Sequence, residues 1–104
     1  MNTTTKARYE QRAAVLKSLA HATRLLIIDE LSKGERCVAE LTEMVGDDMS
    51  TVSKHLSVLK GAGLVRDEKR GAQVYYSLRV PCVLGFFGCI EDVIQSDGEG
   101  GCPC

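Results

Sequence analysis

No stretch of this 104-residue chain is apolar for long enough to cross a bilayer: the longest such run is residues 80–90, and a membrane helix needs about 20. The first ten residues are polar and carry no secretory signal, so the protein is expected in the cytoplasm. No nucleophile–base pairing, glycine-rich phosphate loop or carboxylate pair of the catalytic kind is present, which argues against an enzyme. Internal repeats and low-complexity segments are absent too. The length suits one domain, with a core small enough that dimerisation would add to it.

Basic residues are missing altogether after Arg79. The net charge is −1, which alone argues against a nucleic-acid partner, but the charges are segregated. Between Thr51 and Val80 stand Lys54, Lys60, Arg66, Lys69, Arg70 and Arg79 against only Asp67 and Glu68. From Pro81 onward the charged residues are Glu91, Asp92, Asp97 and Glu99. A basic middle and an acidic end fit a chain that meets phosphate with one region and something else with the other.

Residues 47–65 organise the rest. Val52, Leu56 and Leu59 are spaced i, i+4, i+7 and predict one apolar stripe on a helix. Asp48 is placed to cap it, and Gly61 with Gly63 to end it. Thr51, Ser53, Lys54, His55 and Ser57 fall on the other faces. Short hydroxyls give or accept hydrogen bonds with base edges and Lys reaches phosphate or guanine, so this face suits the floor of a major groove. An ordinary solvated helix face would look the same in isolation, and the flanking sequence decides between them.

Ahead of it the periodicity predicts a frayed start over residues 1–5, a helix over 6–19, and a second helix from residues 21–23 to Gly34. Leu25, Leu26, Ile28 and Leu31 are expected to face inward along that second helix. A short helix follows over 36–45, using Val38, Leu41 and Met44, and Gly46 separates it from the capped helix. Two helices around a tight glycine turn read as a helix-turn-helix.

Beyond Gly63 the period changes to two. Residues 64–68 and 73–78 read as strands around Lys69, Arg70, Gly71 and Ala72, a β-hairpin with a basic tip. Pro81 suits the first turn of a last helix. Val83, Phe86, Phe87, Ile90, Val93 and Ile94 give that helix an apolar surface with few elements of its own chain left to cover it, so a partner subunit is expected there.

The predicted fold is mostly α with a β-hairpin wing (α+β): a winged helix-turn-helix of four helices, two strands and a fifth helix, forming a homodimer. Residues 1–96 are assigned to DNA binding and dimerisation, and 97–104 to a flexible cysteine-containing tail.

Three stretches, residues 19–28, 50–65 and 69–78, resemble in order and spacing the arsenical-resistance repressors and their metal-sensing relatives, the ArsR/SmtB family. The resemblance covers roughly residues 6–94. It implies a homodimeric repressor that binds double-stranded operator DNA and leaves it when an inducer binds. The family's groove-reading positions fall on Ser50, Thr51, Ser53, Lys54 and His55, and its wing contacts on Arg70 and Gln73. Two departures stand out. Asp47 and Asp48 occupy positions where uncharged polar residues are common, which weakens binding to phosphate, and Ala22 replaces a common Pro.

The inducer is argued from five cysteines, Cys37, Cys82, Cys89, Cys102 and Cys104, because such sets in a reducing cytosol more often bind metal or sense redox state than form disulfides. Cys37 matches the first cysteine of the arsenic-sensing motif of the resembled family, but Ala39 replaces its companion. The last helix lacks the His and Asp pattern of zinc sensors, and the two histidines are His21 and His55. Cys82 and Cys89 are separated by about 10 Å of helix, too far for one ion. The tail is long enough to bring Cys102 and Cys104 back to Cys89, with Cys37 or Cys82 as substitutes, within one subunit or across the dimer. Three soft thiolates suit As(III) or Sb(III), with Cd(II) or Pb(II) as alternatives. A thiol redox or persulfide switch would need only two of these cysteines. DNA binding itself requires no cofactor in this reading.

Overall fold

A computed structural model describes residues 1–96. Its elements run α1 (Thr3–Leu19), α2 (Ala22–Leu31), β1 (Arg36–Cys37), α3 (Val38–Val45), α4 (Met49–Gly61), β2 (Val65–Arg70), β3 (Gln73–Leu78) and α5 (Val83–Ser96). This is the expected winged helix-turn-helix order with one strand added. The helix-turn-helix is α3 and α4, joined through Gly46 in the left-handed region at φ 83°. The wing is the hairpin of β2 and β3.

The α4 stripe seats the whole assembly. Val52, Leu56 and Leu59 are fully buried. They join Leu19 of α1, Ile27, Ile28 and Leu31 of α2, Leu41 of α3, and Leu64 and Val65 at the start of the wing. Complete burial of a side chain of this size is worth about 1.5–3 kcal/mol, so this cluster fixes where the outer face of α4 points. The Asp48 side chain accepts the Thr51 backbone N–H at 2.7 Å, as a carboxylate at a helix start should. The other end closes at Gly63 (φ 81°), where the Leu64 N–H reaches back to the Leu59 carbonyl.

Four local expectations are corrected. The first helix starts at Thr3, because Asn2 caps it by accepting the Thr5 N–H at 2.8 Å. On α2 it is Ile27 that enters the core, while Leu26 is 39% exposed. Met44 of α3 is likewise exposed. Arg36 and Cys37 do not begin α3; they form β1, which pairs antiparallel with Tyr76 and Tyr75 of β3. The sheet is therefore three-stranded in the order β1-β3-β2. Its hairpin turns through two residues, Gly71 and Ala72, with Arg70 opposite Gln73 and Gly71 at φ 62°.

α5 packs on the core through Val83, Leu84 and Phe87. Its other apolar side chains, Phe86, Ile90, Val93 and Ile94, are exposed, as are Tyr9, Val15 and Leu16 of α1. An apolar groove of about 430 Å³ runs between α2 and α5, lined by Leu25, Leu26, Phe87, Ile90 and Ile94. Among the described residues no helix is long and apolar enough to cross a membrane.

Candidate nucleic-acid interface

The buried stripe of α4 turns the first half of the helix outward. Ser50, Ser53 and Lys54 are exposed, and Thr51 and His55 half-buried. The five residues expected to read a groove thus lie on successive turns of one helix, at its positive end, where an N-terminus favours an anionic neighbour. Ser50 is partly engaged, since its hydroxyl donates to Asp48 at 3.3 Å. Asp48 is itself held ionised: its carboxyl lies below the usual range, chiefly because it accepts the Thr51 backbone N–H.

His55 differs from its neighbours. Its Nδ1 accepts a hydrogen bond from Arg24 Nε at 3.1 Å, and its ring lies 4.4 Å from that of His21, tilted by 48°. His21 caps α2 by accepting the Thr23 N–H on its own Nδ1. Arg24 also donates to the Ser18 carbonyl at the end of α1, at 3.3 Å. Burial lowers the His55 pKa below the ordinary imidazole value; His21 and Arg24 lower it further, and Asp47 opposes them.

At the wing, Arg70 is exposed but paired. It makes a two-point ion pair with Glu35, a second ion pair with Glu68, and lies 4.8 Å over the Tyr75 ring. The Glu35 carboxyl is held below its usual range mainly by its hydrogen bond with Arg70. Gln73 is exposed across the turn. Lys60 is bound to Asp67 at 3.0 Å.

Arg24, His21 and Glu35 escaped sequence reasoning. The contacts that engage them span 31, 34 and 35 positions, and no periodicity or motif links residues that far apart.

Of the cysteines, Cys37 is buried at the junction of β1 and α3, and its backbone N–H is bound by Glu40 at 3.0 Å. Cys82 and Cys89 are exposed. Cys102, Cys104 and the tail assigned to 97–104 lie outside the described residues. Among the described residues no three His, Cys, Asp or Glu side chains gather as a metal cluster.

A helix-turn-helix seated on the core, an outward helix face and an adjoining hairpin wing define a winged-helix DNA-binding regulator. Residues 21–67 match the family described as bacterial regulatory protein, arsR family. The chain is 37% identical over 100 residues to the arsenical resistance operon repressor of Bacillus subtilis, covering 91% of this chain and 90% of that one.

Among solved structures it resembles NolR from Sinorhizobium fredii, with a TM-score of 0.81 at 31% identity, covering 89% of this chain and 93% of that one. It also resembles the homodimeric winged helix-turn-helix DNA-binding domain Mb0332 of Mycobacterium bovis, with a TM-score of 0.79 at 32% identity, covering 92% and 89%. Several further relatives are longer, this chain spanning 37% to 57% of them. The chain belongs to the ArsR family of transcriptional regulators, and it is not an enzyme.

Proposed function

We propose that this ArsR-family repressor binds a two-fold symmetric DNA operator as a homodimer and is released when As(III) or Sb(III) is bound by Cys89, Cys102 and Cys104. Ser50, Thr51, Ser53, Lys54 and His55 read the major groove, while Arg70 and Gln73 carry the wing to the backbone. The dimer forms through α1 and α5. Support for it is the apolar surface left on these two helices.

The observation that carries the inducer is Cys89. It is an exposed thiol on α5, with Cys102 and Cys104 following it in the sequence. Cys37 offers less, being buried without a second thiol beside it in sequence. The similarity to a repressor of an arsenical resistance operon points the same way. Soft thiolates select thiophilic ions such as arsenite over hard cations. An inducer tying the tail to α5 acts only through its preference for the DNA-free dimer, and typical couplings of ~1–3 kcal/mol weaken operator binding roughly 5- to 150-fold.

The test is release of a fluorescent duplex taken from upstream of the protein's own gene, under reducing, anaerobic conditions, as arsenite is added. Release near stoichiometric arsenite is expected, and loss of that response in the C102S/C104S variant. Release by cadmium, or by oxidant and polysulfide but not arsenite, would replace the inducer and leave the DNA-binding reading in place.

A further inference from the structure

α4 is seated by three fully buried aliphatic side chains, so its position does not depend on the polar contacts at its edge. What those contacts do fix is one ring. A guanidinium has donors and no acceptor. The Arg24 Nε–H bond to His55 Nδ1 therefore exists only while Nδ1 keeps its lone pair, which places the proton of the neutral ring on Nε2. His21 closes one side of the ring, and it is itself pinned by its bond to the Thr23 N–H. Arg24 is held in turn by the Ser18 carbonyl. The ring therefore has a single neutral tautomer and a restricted orientation on the face proposed to meet DNA.

We propose that Arg24 is a positioning residue for operator recognition, holding His55 as the Nε2–H tautomer so that it donates to an acceptor on a base edge in the major groove. Purine N7, guanine O6 and thymine O4 are the acceptors of that chemistry. The inference rests on the reading of α4 as the operator-reading helix. Protonation of His55 would turn an N–H toward the Arg24 N–H and add a cation beside His21 and Arg24, with Asp47 the one acidic group opposing it. The burial of the ring and these neighbours favour the neutral form.

Long-range 1H–15N spectra of the intact protein, with His55 assigned by comparison with H55Q and H21Q, test the first half. Wild type should show a protonated Nε2 and a bare Nδ1, and R24Q should gain a measurable share of the Nδ1–H tautomer and titrate at higher pH. A bare Nε2 in wild type, or an unchanged tautomer in R24Q, overturns the proposal without requiring any variant to bind DNA.

Anisotropy with the same promoter duplex tests the second half. R24Q and H55Q should each weaken binding about two- to tenfold, the scale of one hydrogen bond. The double variant should be no weaker than H55Q, because the two act through one contact. The salt dependence should stay as in wild type, since no phosphate contact is lost. Operator affinity unchanged in R24Q, with K54A weakened, would overturn the role of Arg24 alone. If K54A also bound as wild type, the reading of α4 itself would fall.

Discussion

α4 and α5 are nearly equal in length, and each presents an apolar stripe, yet they use it in opposite ways. On α4 the stripe is narrow and wholly consumed: Val52, Leu56 and Leu59 are buried, and what faces outward is mostly polar, Ser50, Ser53, Lys54 and Ser57, with Met49 and Val58 the exposed apolar side chains. On α5 the apolar surface is broader than the core can use. Phe87 packs inward, while Val93 and Ile94 are 69% and 62% exposed. A polar outer face costs nothing to leave in water and is free to meet a polar partner such as DNA. An apolar outer face is costly to leave exposed, and a contiguous patch of this kind marks an interaction surface. The two outer faces therefore suit different kinds of partner.

The sharpest way to break that contrast is to truncate each helix in turn. Leu56→Ala should cost roughly 2–5 kcal/mol of unfolding free energy, because it removes a fully buried side chain and leaves a cavity. Denaturant titration measures this, and a change below 1 kcal/mol would mean the α4 seat is far looser than its burial indicates.

Phe86→Glu on α5 should leave the fold standing, since Phe86 is 44% exposed in the single chain, but should shift dimer to monomer by placing a charge in the proposed interface. Operator binding should then fall by about a hundredfold as one half-site stops aiding the other. Sedimentation equilibrium together with anisotropy would show it. A variant that stayed dimeric with unchanged affinity would remove α5 from the interface.

The same contrast explains how much could be read from the chain. Most of α4 was legible: its stripe, its Asp48 cap and the glycine at its end are local features within a few residues of one another. The hairpin was legible for the same reason, two strand segments flanking Gly71, although Lys69 and Arg70, expected in the turn, belong to β2 and pair with Val74 and Gln73. β1 was not, since two residues carry no period and owe their conformation to Tyr75 and Tyr76, nearly forty positions away. Four consecutive apolar residues, Leu25 to Ile28, leave the phase of α2 open, and packing chose Ile27 over Leu26.

At the candidate interface the sequence pointed to the outward residues of α4. It was silent on what restrains them, because Arg24 and Glu35 reach His55 and Arg70 only through the folded chain. The inducer reading lies largely beyond this comparison, as two of its three cysteines fall outside the described residues.

The smallest expected effect concerns how the two helices begin. α5 has no acidic residue in its first turn, whereas α4 starts from the Asp48 carboxylate. The Asp48 pKa is lowered from its ordinary value of 3.8, first by the Thr51 backbone N–H, then by the side chains of Thr51 and Ser50. A carboxylate with a lowered native pKa adds stability that is fully present above the unfolded value and disappears as the pH falls through the native one.

Asp48→Asn keeps an oxygen to accept the Thr51 N–H but cannot titrate. Its melting temperature should therefore change less than that of wild type between pH 6 and about pH 2, the difference isolating this one group from Glu35 and Glu40, whose pKa values are also lowered. The same change should tighten operator binding by about two- to fivefold, the scale of one exposed charge interaction, because a negative charge is removed from beside the phosphates. Stability and affinity would then move in opposite directions at neutral pH. If Asp48→Asn lowered both, the carboxylate would be serving the operator-facing conformation of α4 rather than opposing the DNA, and the start of this helix would belong to the recognition surface rather than to its support.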